Sequence, residues 1–228
     1  MGNRIITFLT ILVLLLSYST QAQKLSYREV CGDEVSIYDY EIQRSPETIK
    51  IQVIKRQGDH VLEDQVFILN EKLLTQKWIF IRTRDNTNVV AELHDDEISI
   101  QGVRDGKKID EDYDLDEYSW IQLWPMNLGL EPFLKSSNQE IKYWAFGTEK
   151  PGDLDLAKFV ASKEEKELIK LGSEEHLTQK VNITLSGWKS IFWDGYFFFR
   201  ESDGRIIKYD GDGAPGKPDA VTTLISEE

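Results

Sequence analysis

Two stretches of this chain concentrate the residue types that do chemistry. In IDEDYDLDEY, Asp112, Asp114 and Asp116 stand at alternate positions, and in SIFWDGYFFFRESDGRIIKYDGDGAPG, Asp194, Asp203, Asp210 and Asp212 punctuate an aromatic run. Clustered carboxylates can hold a hard cation or act as an acid–base pair. A calcium loop beginning at Asp112 would need glycine at its sixth position and glutamate at its twelfth, where this chain has Glu117 and Leu123. One beginning at Asp210 would place Ala214 and Pro215 where an acid and a glycine belong. Both runs therefore read as solvated edges and turns. His94-Asp95-Asp96-Glu97 has the composition of a metal cluster, but adjacent residues in a turn do not converge on one ion. His60, His94 and His176 are scattered, and no H-x-x-x-H, C-x-x-C or G-x-S-x-G pattern occurs. The expectation is no catalytic set, no metal site and no cofactor. Cys31 has no histidine beside it in sequence, and it reads as a residue lying before the first strand.

The aromatic residues are the second candidate. Trp120, Trp124, Trp144, Trp188 and Trp193 could fill a core, line an apolar cavity or stack on sugar rings. Tyr196 to Phe199 are aromatic at consecutive positions, so both faces of that strand need cover. Trp120, Trp124, Trp144, Trp193 and Phe198 are the candidate ligand-binding residues, as lining of a hydrophobic cavity.

The elements that would position them are mostly strands. The first 22 residues, MGNRIITFLTILVLLLSYSTQA, have Arg4, an apolar run from Ile5 to Leu16 and small residues before a cut after Ala22. This is the pattern of a secretory signal peptide, leaving residues 23–228 as a single β-rich domain. The protein is expected to be secreted, and periplasmic if its source is a Gram-negative bacterium. With Arg4 gone, 26 Lys+Arg stand against 40 Asp+Glu, a net charge near −14 that disfavours nucleic acid and anionic membrane surfaces. A lone cysteine allows no internal disulfide, so stability must come from the core.

From Glu34 onward, short segments alternate apolar and polar residues at spacings near ten. VSIYDYEIQ, TIKIQVIKRQ, VLEDQVFIL, QKWIFIRTR, NVVAELH and EISIQGVRDGKKI are separated by Gly58-Asp59, Asp85-Asn86, Asp95-Asp96 and Asp105-Gly106. Such punctuation predicts an antiparallel meander, with a type I′ turn at Asp105-Gly106. EYSWIQLWPMNLGLEPFLKSS breaks the pattern and reads as one or two helical pieces interrupted at Pro125 and Pro132. Strand patterning then resumes to the C-terminus; Asp153 to Leu171 also nearly suits a helix, but its β-branched surroundings favour strands. About a dozen strands in one sheet would leave a greasy face unless the sheet curls. The predicted fold is mainly β: a curled antiparallel half-barrel around a short helical segment.

A leader, a seven-stranded meander, a short W-x-x-x-W-P hinge and a second meander resemble the periplasmic lipoprotein carriers of the LolA-like superfamily. They resemble more closely an uncharacterised family of exported bacterial proteins related to it. The matching residues are Gly102 with Asp105-Gly106-Lys107, Trp120-Ile121-Gln122, Ile141-Lys142-Tyr143-Trp144, Trp193 through Phe199-Arg200, and Asp203-Gly204. The resemblance implies a concave sheet and a helix enclosing an apolar cavity for acyl chains. The expected function is an exported envelope binding protein for a hydrophobic small molecule or lipid. The alternatives are a secreted glycan-active enzyme using paired carboxylates, and an envelope structural or interaction protein.

Overall fold

The computed structural model describes residues 22–122, 128–147, 154–187, 190, 193–213 and 217–228. The expected leader lies outside these residues except for Ala22. The strands are β1 (Gln23–Cys31), β2 (Glu34–Arg44), β3 (Thr48–Gln57), β4 (His60–Asn70), β5 (Thr75–Arg82), β6 (Thr87–His94) and β7 (Glu97–Arg104). They continue as β8 (Lys107–Asp114), β9 (Glu140–Gly147), β10 (Asp155–Leu171), β11 (Glu174–Leu185), β12 (Asp194–Arg200), β13 (Ile206–Gly211) and β14 (Ala220–Glu227). All fourteen form one antiparallel sheet, ordered β8-β7-β6-β5-β4-β3-β2-β1-β14-β13-β12-β11-β10-β9. The mainly β expectation holds, and the long β10 confirms the strand reading of residues 155–171. Asp105 and Gly106 both have positive φ, 49° and 74°, as a type I′ turn requires.

One strand escapes the sequence pattern. β1 lies in the middle of the sheet, pairing with β2 on one side and β14 on the other, and so joins the two meanders. Its inward positions are Leu25, Tyr27, Glu29 and Cys31. A carboxylate and a thiol there disguise the alternation. Cys31 therefore ends a strand instead of preceding the first one.

The sheet is open along the β8 and β9 edges, but it rolls until one end overlaps the other. Phe146 of β9 stacks on Trp78 of β5 with ring centroids 5.6 Å apart and meets Tyr113 of β8 edge-on at 5.8 Å. Side chains alternate along a strand, so Phe146 projects from the face opposite Tyr143 and Ala145. β9 thus lays one face on the inner wall of β5 and β8. Its other face looks into the scroll, where Tyr143, Phe159 and Trp193 pack in sequence.

The segment between the two edges is less helical than its spacing predicts. Trp120 is extended and forms a parallel bridge with Trp144 of the edge strand β9. A 3-10 turn (Leu128–Leu130) leads into the short α1 (Glu131–Lys135). Pro132 sits in the first turn of α1, where its missing N–H costs nothing, so it starts this helix and does not interrupt one. Pro125 lies outside the described residues. Leu130 and Phe133 are buried in the core. A side chain added at Gly129 would come within 2.5 Å of Ile121 and 3.0 Å of the Leu73 carbonyl. Lys163 of β10 donates to the Ser136 carbonyl at 2.6 Å, and its ammonium lies over the Phe133 ring. These contacts make the helix a stopper at the end of the scroll that carries the β4–β5 turn.

Candidate functional site

The opposite end of the scroll has a different inner lining. On successive strands the inward positions near this end are polar, and the ladders set them side by side. Thr222 of β14 stands opposite Glu29 of β1, and Glu29 opposite Ser36 of β2. Tyr38 of β2 stands opposite Lys55 of β3, Lys55 opposite Glu63 of β4, Glu63 opposite Arg82 of β5, and Arg82 opposite Thr87 of β6. The charges alternate in sign across the row: Glu29, Lys55, Glu63, Arg82. Toward the stoppered end the same strands turn apolar, with Leu25, Ile42, Ile51, Val53, Phe67 and Leu69 almost wholly buried.

Part of the row is internally satisfied. Glu29 accepts from Lys55 Nζ at 2.9 Å and from the Tyr38 hydroxyl at 3.0 Å, while the Lys55 ammonium lies over the Tyr38 ring. Burial, and then the Glu29 charge, hold the Tyr38 phenol well above its ordinary range. Tyr38 is therefore a neutral donor.

The rest is not satisfied. Arg82 is only 6 % exposed and stacks against Phe80. Its Nε pairs with Asp85 Oδ2 at 2.6 Å, while Nη2 and Asp85 Oδ1 are buried without hydrogen-bond partners among the described residues. Glu63 receives one donor, Gln65 Nε2 at 3.2 Å, and forms no ion pair among the described residues. The Tyr40 hydroxyl, one inward step deeper on β2, and the Thr222 hydroxyl are also buried without partners. A buried polar group left unpaired costs about 1–3 kcal/mol, so a cluster of them marks a surface built for something polar. At the far end of the row Arg104 of β7 donates to the Leu154 carbonyl at 3.0 Å and approaches Asp155 of β10. The polar lining thus extends to the seam where the scroll overlaps itself.

The fold has a solved counterpart. The chain is similar to the crystal structure of a beta-barrel-like protein of the domain of unknown function DUF1849 from Brucella abortus. The TM-score is 0.60 at 12 % identity, covering 91 % of this chain and 97 % of that one. Identity that low speaks for the fold alone. No family model matches the chain, and no curated protein matches it.

The four described aromatic candidates do not meet in one space. Trp120 is 1 % exposed, packs edge-on against Phe146 and points its Nε1 at Gln122 Oε1. Trp193 faces the interior beside Phe159. Trp144 lies on the other face of β9, donating to Asp116 Oδ1 at 2.9 Å beneath the Lys158 ammonium. Phe198 lies on the outer face of β12, covered by Lys180 and Lys208. Trp124 lies outside the described residues. Trp120 and Trp144, as bridge partners, lie on the Phe146 face of β9, one buried and one at its rim, whereas Phe198 lies on the outer face of β12. Two hollows, one lined by Glu175, His176, Leu177, Arg200, Glu201 and Ser202 and one by Glu164 to Glu167 with Lys180, are open, and neither involves these residues.

The acidic runs disperse in the same way. Asp112 and Asp114 are exposed on edge strand β8, whereas Asp116 binds Trp144 and Lys158. The Lys158 hydrogen bond holds the Asp116 carboxyl below its usual range. Asp203 pairs with Arg200 and Arg205, Asp210 with Lys208, and Asp212 accepts from the Asp194 amide. Among the described residues no three potential metal ligands converge.

The inner ionic row is built from common residue types and carries no motif. Its signal was present in parity. In TIKIQVIKRQ the inward series Ile49, Ile51, Val53 runs on to Lys55. In QKWIFIRTR the series Trp78, Phe80 runs on to Arg82, and in β4 Leu69, Phe67, Gln65 runs back to Glu63.

Proposed function

We propose that this chain is an exported envelope protein that binds an amphipathic, lipid-like ligand, its acyl part held within the scroll and its polar part at the ionic end. The observation that carries this reading is the seam. The sheet's two edges meet through side chains (Tyr113 on Phe146, Arg104 on Leu154 and Asp155) with no strand ladder between β8 and β9. The overlap is held by the 119–122 segment, through its bridge to Trp144 and the Gln122 carboxamide, and releasing that segment uncovers an aromatic wall of Trp78, Phe80 and Phe146. An apolar interior behind a seam of this kind suits uptake of a hydrophobic guest. The LolA-like resemblance points the same way, and the leader-like N-terminus supports an envelope location.

The test is to purify the protein from its own envelope, extract bound lipid for mass spectrometry, and titrate the stripped protein with an acyl-chain fluorophore. Saturable uptake reversed by added lipid is the expected result. No copurifying lipid together with no saturable uptake would sink the reading.

A further inference from the structure

We infer that Glu63 and Arg82 form a headgroup site for a zwitterionic lipid that carries an ammonium beside a phosphate. This rests on the lipid-binding reading above and adds which lipid. The two residues occupy directly opposed inward positions on β4 and β5 and have opposite charges, yet they do not pair. Arg82 turns to Asp85 and keeps Nη2 buried and without an acceptor, while Glu63 keeps a carboxylate served by one amide. The neighbouring cation, Lys55, is committed to Glu29 and the Tyr38 ring. What the row lacks is therefore an acceptor for Arg82 Nη2, the side of the guanidinium that Asp85 leaves open, and one cationic donor for Glu63 on the neighbouring strand.

A phosphate supplies the acceptor in the geometry a guanidinium prefers, and an ammonium two carbons away supplies the donor. A purely anionic headgroup would satisfy Arg82 but bring its charge to Glu63. An uncharged diacylglycerol would satisfy neither.

The experiment displaces an acyl-chain fluorophore from the stripped protein with dioleoyl phosphatidylethanolamine, dioleoyl phosphatidylglycerol and dioleoylglycerol, which share their chains. Phosphatidylethanolamine should displace it at roughly tenfold lower concentration than the other two. Glu63→Gln should erase the advantage over phosphatidylglycerol, and Arg82→Gln the advantage over dioleoylglycerol. Far-UV circular dichroism checks that each variant is folded; Glu63 is half-exposed, so its isosteric variant keeps the test usable if Arg82→Gln does not fold. Equal displacement by all three lipids, with fluorophore uptake intact, overturns the headgroup site and leaves the lipid reading standing. Loss of uptake altogether overturns both. Displacement by soluble phosphoethanolamine as effective as by the lipid would overturn the lipid as the source of the headgroup.

Discussion

The carboxamide of Gln122 serves as a strand for Phe146. Its Oε1 accepts the Phe146 amide and its Nε2 donates to the Phe146 carbonyl at 3.0 Å. The Gln122 amide in turn donates to Thr75 Oγ1 at 2.8 Å, at the start of β5. One buried side chain thus satisfies the edge of β9 and ties it to the opposite wall of the scroll. Gln122→Ala removes both bonds and leaves two buried backbone groups unpaired, so a loss of about 2–4 kcal/mol is expected. Gln122→Glu keeps the acceptor and loses the donor. Urea denaturation should rank wild type, then Glu, then Ala; equal midpoints for all three would refute the clamp.

Trp120 and Trp144 form the backbone bridge of the same seam but face different surroundings. Trp120→Ala empties a core position and should cost about 3–5 kcal/mol. Trp144→Ala loses a half-exposed ring with one hydrogen bond and a lysine contact, worth about 1 kcal/mol. Denaturation midpoints check the order. A larger loss at Trp144 would contradict the burial of Trp120 and the exposure of Trp144.

Gly195 and Tyr209 show why the aspartate–glycine pair at the head of the aromatic strand is needed. A side chain at Gly195 would sit 2.4 Å from the Tyr209 ring. Tyr209 is packed on Phe197 and donates to the Asp212 carbonyl, so it cannot withdraw freely. Gly195→Ala should cost about 1–3 kcal/mol through overpacking. Combining it with Tyr209→Leu should cost less than the sum of the two single changes. Strict additivity in that cycle would argue against the contact.

Burial holds the phenols of Tyr27, Tyr38, Tyr40, Tyr143 and Tyr209 above the ordinary tyrosine range, and burial followed by its bond to Glu111 pushes Tyr113 up to about 12. The folded state therefore keeps protons that the unfolded state releases. The stability these groups contribute is fully present below about pH 10, the unfolded value, and falls as pH rises beyond it. In an alkaline titration followed by phenolate absorbance and circular dichroism, the five buried tyrosines should ionise together with unfolding. Independent ionisation near pH 10 in the folded protein would contradict their placement.

Much of the fold was legible because it depends on local alternation. Ile49, Ile51 and Val53, or Ile98 and Ile100, announce a strand and its buried face without reference to any partner. Asp105-Gly106 announces its turn because few residues tolerate positive φ. The same local cues misled at β1, where Glu29 and Cys31 occupy inward positions, and at Trp120 to Gln122, whose spacing suits a helix but whose backbone is extended against β9.

The candidate site depended on information that no local window holds. Alternation predicts that Glu63 and Arg82 point inward, but their opposition is a matter of register between β4 and β5. The partnership of Lys55 with Glu29 spans 26 residues. Likewise, the aromatics could be counted in sequence, but only the rolling of the sheet put Phe146 on Trp78, 68 positions away, and left Phe198 on the outer face under Lys180 and Lys208. The sequence by itself determined strands, turns and an apolar interior, because these follow from side-chain period and backbone sterics. The tertiary structure decided which charges remain unpaired, because pairing is settled by which strands lie side by side.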